Sequence, residues 1–414
     1  MSEGQPDLRT AQGAVDALRS TTAIRLRAQA LLAHARAGRS PHFLVDDHAM
    51  ATTAARVADV TRSRYPDLRI PYHSRWRHFE AGGVQRAAQL DQQLGATDAA
   101  SRARAQIDLA LVSVLLDAGA GAQWQYLEPE TGLQLTRSEG LGVASFHAFT
   151  AGLFSSDPAQ PLQADAAGLR AIEADDLAKA FQVSASNPLV GLEGRAALLR
   201  RLGDALATQP ARFGAAGRPG GIWDSLPRSE DGAIEVHDVL RLLLSTLSGI
   251  WAAPNAIGGI ALGDCWRHPE APGDGLTAGW MPFHKLTQWL TYSLLEPLQW
   301  AGVTVRGLDD LTGLPEYRNG GLFLDTGVLR PRGQGHTSRI WEVGDGLIVE
   351  WRALTVALLD ELAPLVRHAL GRAAQEMPLA CVLEGGTWAT GRALAQSLRN
   401  GLPPLSIASD GTVF

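Results

Sequence analysis

The strongest constraint on this chain is helical periodicity. Across residues 10–39, TAQGAVDALRSTTAIRLRAQALLAHARAGR, Ala and Leu recur at three- and four-residue spacing up to Gly38, as in one or two amphipathic helices. The same reasoning places helices near 49–64, 100–118, 165–181, 193–207, 235–250, 283–300 and 349–371. Strand-like stretches are short. GAQWQYLEPETGLQLTRSEG (121–140) reads as a hairpin turned by Pro129, Glu130, Thr131 and Gly132. Pro71 disfavours helix at Ile70, so LRIPYHSRW is extended. The fold class expected is mainly α with a few short strands, a minor α+β component, and long connecting loops at 209–230 and 252–282.

With 414 residues, 45% of them apolar, the chain can bury a substantial core. A single large, mostly helical domain is expected, with a soft subdivision into 1–215 and 216–414 and the active site between them. The N-terminal MSEGQPDLRTAQGAV lacks the plan of a signal peptide, and no apolar run is long enough to span a bilayer, so a cytoplasmic protein with no membrane partner is expected. Cys265 and Cys381 form no CxxC pair and read as buried thiols. The net charge of −6 argues against a nucleic-acid partner, which would favour a basic excess.

Within this acidic chain IPYHSRWRHFEAGG (70–83) is a cationic island carrying His73, Arg75, Trp76, Arg77 and His78. It suits a small anionic ligand. The competing reading is that Arg75, Arg77 and Glu80 lock the fold through internal ion pairs. A second constellation is WMPFHKLTQWLTYSLLEPLQWAG (280–302), where Pro282 marks a possible helix start and Pro297 a possible end. Lys285, Gln288, Tyr292 and Glu296 share one helix face, while Phe283, Leu286, Leu290 and Leu294 lie opposite. That face is either a solvated surface or, given flanking Trp280, Trp289 and Trp300, one wall of a pocket. A third, LTGLPEYRNGGLFLDTGVLRPR (311–332), sets Glu316, Arg318 and Asn319 before a Gly pair, then a short apolar strand holding Asp325. A fourth places Glu350 and Arg352 at the mouth of an apolar helix, where an internal ion pair competes with a binding role.

HExxH, GxSxG, GxGxxG and GxxxxGK[ST] are all absent. No metal site is read, and no cofactor is expected. Metalloprotease, simple α/β-hydrolase, dehydrogenase and P-loop ATPase readings lose ground accordingly.

The segments IPYHSRWRHFEAGG, LLDAGAGAQWQYLEPETG, RSEGLGVASFHAF, NPLVGLEGR, PFHKLTQWLTYSLLEPL, LTGLPEYRNGGLFLDTGVL, EWRALTVALLDELA, LEGGTWATGR and the terminal SDGTVF together resemble the fungal and bacterial uracil catabolism protein four family. The resemblance runs from residue 15 to Phe414. It implies a place in a uracil degradation route distinct from the reductive one, in which uracil passes through its nucleotide and ring opening leaves a ribosylurea species. NPLVGLEGRAALLRRLGDAL, FHKLTQWLTYSL and VEWRALTVALLDEL are also similar to the queuosine-5′-phosphate N-glycosidase (queuosine salvage) family, over about half the chain. This second resemblance implies a helical architecture like that of DNA glycosylases and cleavage of a nucleotide N-glycosidic bond. When Gln288 is matched to that family's Gln, Phe283 stands where its aspartate is found and Lys285 where its arginine is found. The cation carries over and the carboxylate does not.

Together these readings predict hydrolysis of a ribosylurea 5′-phosphate to urea and ribose 5-phosphate. Asp325, Glu296 or Glu316 would be the carboxylate, and His284 or His73 the proton donor. Arg75, Arg77 and Lys285 would hold the phosphate. Trp76, His78, Gln288, Tyr292, Arg318, Asn319, Glu350 and Arg352 complete the candidate binding set. Two alternatives stay open: ring-opening or amidohydrolase action on the uracil nucleotide, with which a bound metal would fit, and a non-catalytic nucleotide-binding partner of the pathway.

Overall fold

In the computed structural model, residues 6–251, 255–333 and 335–408 are described. The terminal SDGTVF segment lies outside them. The structure is mainly α, with six two-stranded ladders among the described residues. The periodic segments form as expected: Ala11–Leu18, Thr21–Arg36, Ala49–Arg64, Ala99–Leu115, Leu192–Ala207 and Gly346–Leu370 are α-helices. Two of these begin on hydroxyl caps. Thr10 accepts from the Gly13 N–H and Ser20 from the Ala23 N–H, each satisfying an orphan donor of the first turn. The 165–181 region divides into Ala166–Ala171 and Ala174–Ala180.

The chain separates into two compact units, each built from discontinuous pieces. The first comprises the described parts of 1–73, 253–288 and 307–408. Its centre is the 25-residue helix Gly346–Leu370, buried along most of its first half and packed on Thr21–Arg36 and Ala49–Arg64. Phe43–Val45 pairs antiparallel with Leu329–Pro331, and Cys265–Arg267 with Trp280–Pro282. Both cysteines are buried and neither is in a disulfide. The second unit comprises the described parts of 74–252 and 289–306. It holds Ala99–Leu115, Arg137–Thr150, Leu192–Ala207 and Val236–Leu247, plus the hairpin Gln125–Leu127/Gln134–Thr136. The hairpin is pinned from behind: Glu128, 1% exposed, takes a two-pronged bond from Arg86 at 2.7 and 2.5 Å and a third from His147 at 2.6 Å.

One expectation is corrected. Asp325 ends a helix, Tyr317–Asp325, instead of lying in a strand. The Asn-Gly-Gly run lies inside this helix, where packing leaves room only for small residues. A Cβ at Gly320 would sit 2.7 Å from the Trp351 ring, whose Nε1–H donates to the Gly320 carbonyl at 3.1 Å. Among the described residues no helix is long and apolar enough to cross a membrane.

Candidate active site

The helix Lys285–Trp300 is buried nearly all round, so its polar face is not a solvated surface: Gln288, Tyr292 and Glu296 are buried and Lys285 half-buried. The face is shared between the units, Lys285 and Gln288 belonging to the first and Tyr292 and Glu296 to the second.

In the first unit the helix starts at Lys285 because His284 adopts a left-handed backbone, φ 48°, which no α-helix accommodates. Asp264 supplies the missing cap. Its carbonyl accepts from the N–H groups of Phe283 and His284 at 2.9 and 3.0 Å, and its carboxylate from the Lys285 N–H at 2.9 Å. Arg352 grips that carboxylate in a fork, two contacts of 2.8 Å, while Trp266 Nε1 adds a third donor at 2.8 Å. Burial pushes the Asp264 carboxyl up, but the Arg352 charge and these donors outweigh it and hold it at about 2. His284 is buried, its Nε2 within 3.1 Å of the Leu18 carbonyl, and burial drives it down to about 4, leaving it neutral.

Glu316 caps Tyr317–Asp325, accepting from the N–H groups of Arg318 and Asn319 at 2.5 and 2.6 Å. Burial raises its carboxyl despite those bonds and despite the nearby positive groups Lys285 and His73. The same electrostatic environment thus joins Glu316, Lys285 and His73. His73 Nδ1 lies 2.9 Å from a carboxylate oxygen of Glu384, whose other oxygen accepts from Arg64 at 2.8 Å and Tyr65 at 2.9 Å. Burial pushes Glu384 up, but His73 and Arg64 win and hold it at about 2. An ionised carboxylate only accepts, so His73 carries its proton on Nδ1 and Nε2 is left to exchange one. Glu384 stands in the π-helical segment Leu383–Thr387, the irregular helical geometry that recurs at functional sites. Gln288 exchanges hydrogen bonds with Thr312, and Asn319 Nδ2 donates to the Leu314 carbonyl, its buried Oδ1 having no partner.

Other candidates in this unit have structural partners. Asp325 makes a two-pronged ion pair with Arg399 at 2.9 and 2.6 Å. Arg318 reaches the Gly401 carbonyl at 3.1 Å. Glu350 and Arg352 do not pair with each other. Glu350 is bonded by Ser40 and has His268 Nε2 3.6 Å from its second oxygen. Asp264 and Glu384, the two carboxylates that organise this cluster, were not among the residues singled out by sequence. Among the described residues no group of three or more His, Cys, Asp or Glu side chains is arranged to hold a metal ion.

In the second unit the cationic island is engaged with carboxylates. Arg77 meets Glu296 at 2.7 Å and Glu80 at 3.0 Å, and Ser74 also bonds Glu296. Arg75 is fully buried, 2.7 Å from Asp117 and 2.7 Å from Ser113 Oγ. Trp76 donates to the Ser293 carbonyl at 2.9 Å and packs edge-on to Trp300, and His78 lies edge-on to Trp289.

Residues 17–414 match the family described as "Protein of unknown function (DUF1688)". A Lachancea kluyveri protein named "Uracil catabolism protein 4" is 40% identical over 377 residues, 83% of this chain and 85% of the relative. "Protein urg3" of Schizosaccharomyces pombe is 40% identical over 401 residues, 94% of this chain and 96% of the relative. The chain belongs to this family of uracil catabolism protein 4 and urg3 relatives, covered by the DUF1688 description from residue 17 to its last residue.

Proposed function

We propose that this protein acts in uracil degradation and hydrolyses the N-glycosidic bond of a ribosylurea 5′-phosphate, releasing urea and ribose 5-phosphate. The observation carrying this reading is the Glu384–His73 pair in the electrostatic neighbourhood of Glu316 and Lys285. Glu384 is held down at about 2 while burial raises Glu316, so the two carboxyls are suited to different tasks. The name of the Lachancea kluyveri relative supports the setting in uracil degradation.

The chemistry follows from charge. As the C1′–N bond lengthens, positive charge builds on the sugar carbon, and Glu316 stabilises it. Urea leaves poorly as an anion, so His73 Nε2 delivers a proton to the departing nitrogen. The oxygen of water bonds to C1′, and Glu316, made more basic by burial, takes the proton that water loses. Lys285 holds the 5′-phosphate, and Gln288 and Asn319 face the polar groups of the sugar. Glu384 and Arg64 are positioning residues that fix the imidazole.

Purified protein given ribosylurea 5′-phosphate is expected to release urea and ribose 5-phosphate in equal amounts. His73→Asn should lose on the order of 10²–10⁴ in kcat, the size of a general acid's contribution. Lys285→Ala should lose far more on the phosphorylated substrate than on ribosylurea. Absence of urea above background at micromolar protein refutes the reaction, and equal losses on both substrates refute the phosphate role.

A further inference from the structure

His73 is seated against one face of a single helix. Leu379–Val382, the π-helical Leu383–Thr387 and Trp388–Arg399 run on without a break, since the joining residues Leu383, Thr387 and Trp388 all keep helical backbone angles. Three residues of that helix, spaced four apart, meet His73. The Ala380 carbonyl accepts from its main-chain N–H at 3.0 Å, and the Glu384 carboxylate lies 2.9 Å from Nδ1. The centre of the Trp388 ring lies 6.2 Å from that of the imidazole, the two planes tilted by 42°.

Regular winding would not bring these three into line. An α-helix turns about 100° per residue, so each four-residue step drifts by about 40°, and Ala380 and Trp388 would part by about 80°. A π-turn takes in one extra residue without adding rotation, which leaves the two only about 20° apart. The helix Ala49–Arg64 braces this turn from the side. Arg64 Nη1 donates to the Glu384 and Gly385 carbonyls. A Cβ on Gly386 would come 2.5 Å from Thr61 Oγ1 and 2.6 Å from Val57 Cγ1, so only glycine admits so close a brace.

The three contacts constrain different things. The Ala380 bond fixes the His73 main chain, and the Glu384 bond fixes one ring nitrogen. A single bond to the ring leaves it free to swing about the line of that bond. The half-buried Trp388 ring blocks the swing, at a separation within the range over which aromatic rings pack. A reacting group displaced by about 1 Å loses on the order of 10² in rate, so such a wall carries kinetic weight. We infer that Trp388 is a positioning residue for His73, brought onto its face by the π-turn, and that it acts on the chemistry only through the imidazole. The kinetic part rests on the hydrolysis proposed above, and the positional part does not.

The test uses the full chain carrying ¹³C-labelled histidine, with the His73 resonance identified by its loss in His73→Asn. Side-chain ¹³C relaxation should show the imidazole ordered in the wild type and in Trp388→Phe, which keeps a ring, but loosened in Trp388→Ala. Trp388→Met, which fills the space with a flexible chain, should fall between them, and a thermal melt of each variant checks that it is folded. On ribosylurea 5′-phosphate, Trp388→Ala should lose about 10- to 100-fold in kcat with KM changed by less than about twofold, and Trp388→Phe should stay within about threefold of the wild type. In the double variant His73→Asn with Trp388→Ala the two losses should not multiply, because the indole then has no imidazole to act through. A wild type that releases no urea refutes the reaction, and the relaxation comparison then decides on Trp388 alone. The inference is overturned if the imidazole is as ordered in Trp388→Ala as in the wild type, if Trp388→Phe loses as much as Trp388→Ala, or if the losses multiply in the double variant.

Discussion

Replacing Asp264 with Asn tests whether the carboxylate under the start of Lys285–Trp300 holds the first unit together. Asp264 is in contact with both guanidinium nitrogens of Arg352 at 2.8 Å, and the Arg352 side chain is 1% exposed. In Asp264→Asn the guanidinium loses both carboxylate contacts and keeps the Pro315 carbonyl at 3.3 Å. Breaking a buried pair from one side costs about 3–5 kcal/mol, because the other charge stays buried and uncompensated. The titration of Asp264 gives an independent lower figure. Its carboxyl is held at about 2 against an ordinary 3.8, and at roughly 1.4 kcal/mol per pH unit that difference corresponds to about 2.5 kcal/mol. That figure is smaller because protonation leaves both oxygens in place, whereas Asn also turns an amide N–H₂ toward Arg352 or toward the Lys285 N–H. The sign follows from the direction of the shift. A carboxyl lowered by folding contributes stability above about pH 4, and that contribution is lost as pH falls toward 2. Urea unfolding followed by circular dichroism should therefore show Asp264→Asn less stable by about 2–5 kcal/mol near neutrality. The gap should narrow as pH falls from 4 to 2. Asp264→Leu with Arg352→Met should cost less than the two single changes summed, since it leaves no orphan charge. A single-variant cost under about 1 kcal/mol, or a gap that does not change with pH, would refute the argument.

Three further outcomes follow from named contacts. In Gly391→Ala the new methyl would meet the Arg318 carbonyl oxygen at 2.1 Å, so it should destabilise by about 1–3 kcal/mol in a thermal melt, although Ala ordinarily favours a helix over Gly. Glu316→Ala removes both cap bonds of Tyr317–Asp325 and should cost about 1–2 kcal/mol in denaturant unfolding, together with most of the urea-releasing activity. Asp325→Asn should weaken the Arg399 ion pair and lower the melting temperature, yet retain most of that activity, because Asp325 is spent on Arg399.

The helices were legible because burial against a core imposes a 3.6-residue period directly on the order of side chains, and the Thr10 and Ser20 caps sit one residue before that period starts. The hairpin was legible because its turn carries its own chemistry. Tyr317–Asp325 was not, because its Asn-Gly-Gly is locally a turn sequence and becomes helical only against Trp351 and Gly391, which arrive from distant parts of the chain. The site divided in the same way. His73, Lys285 and Glu316 were visible as chemistry-bearing side chains in loops or helix starts. Asp264 and Glu384 were not, since each acquires its role from a partner 88 or 311 residues away. The available signal for Glu384 was the LEGGT run, where two glycines follow a carboxylate and Cβ atoms on them would press on Thr61 and Val57.

The residues of IPYHSRWRHFEAGG then separate by what their partners leave unused. Arg75 and Arg77 each meet a carboxylate at 2.7 Å. An arginine so paired is a poor phosphate ligand, because a second anion must displace the first or share it. A histidine paired with a carboxylate is in a different position. The bond from Nδ1 to Glu384 uses one ring nitrogen and orients the imidazole. The chain passes from the first unit to the second between His73 and Ser74, so one short segment supplies a proton-handling group to one unit and ion-paired struts to the other. The ion-pair reading of the arginines and the proposed catalytic role of the histidine are therefore compatible, and under the proposed reaction the chemistry of the segment falls on His73.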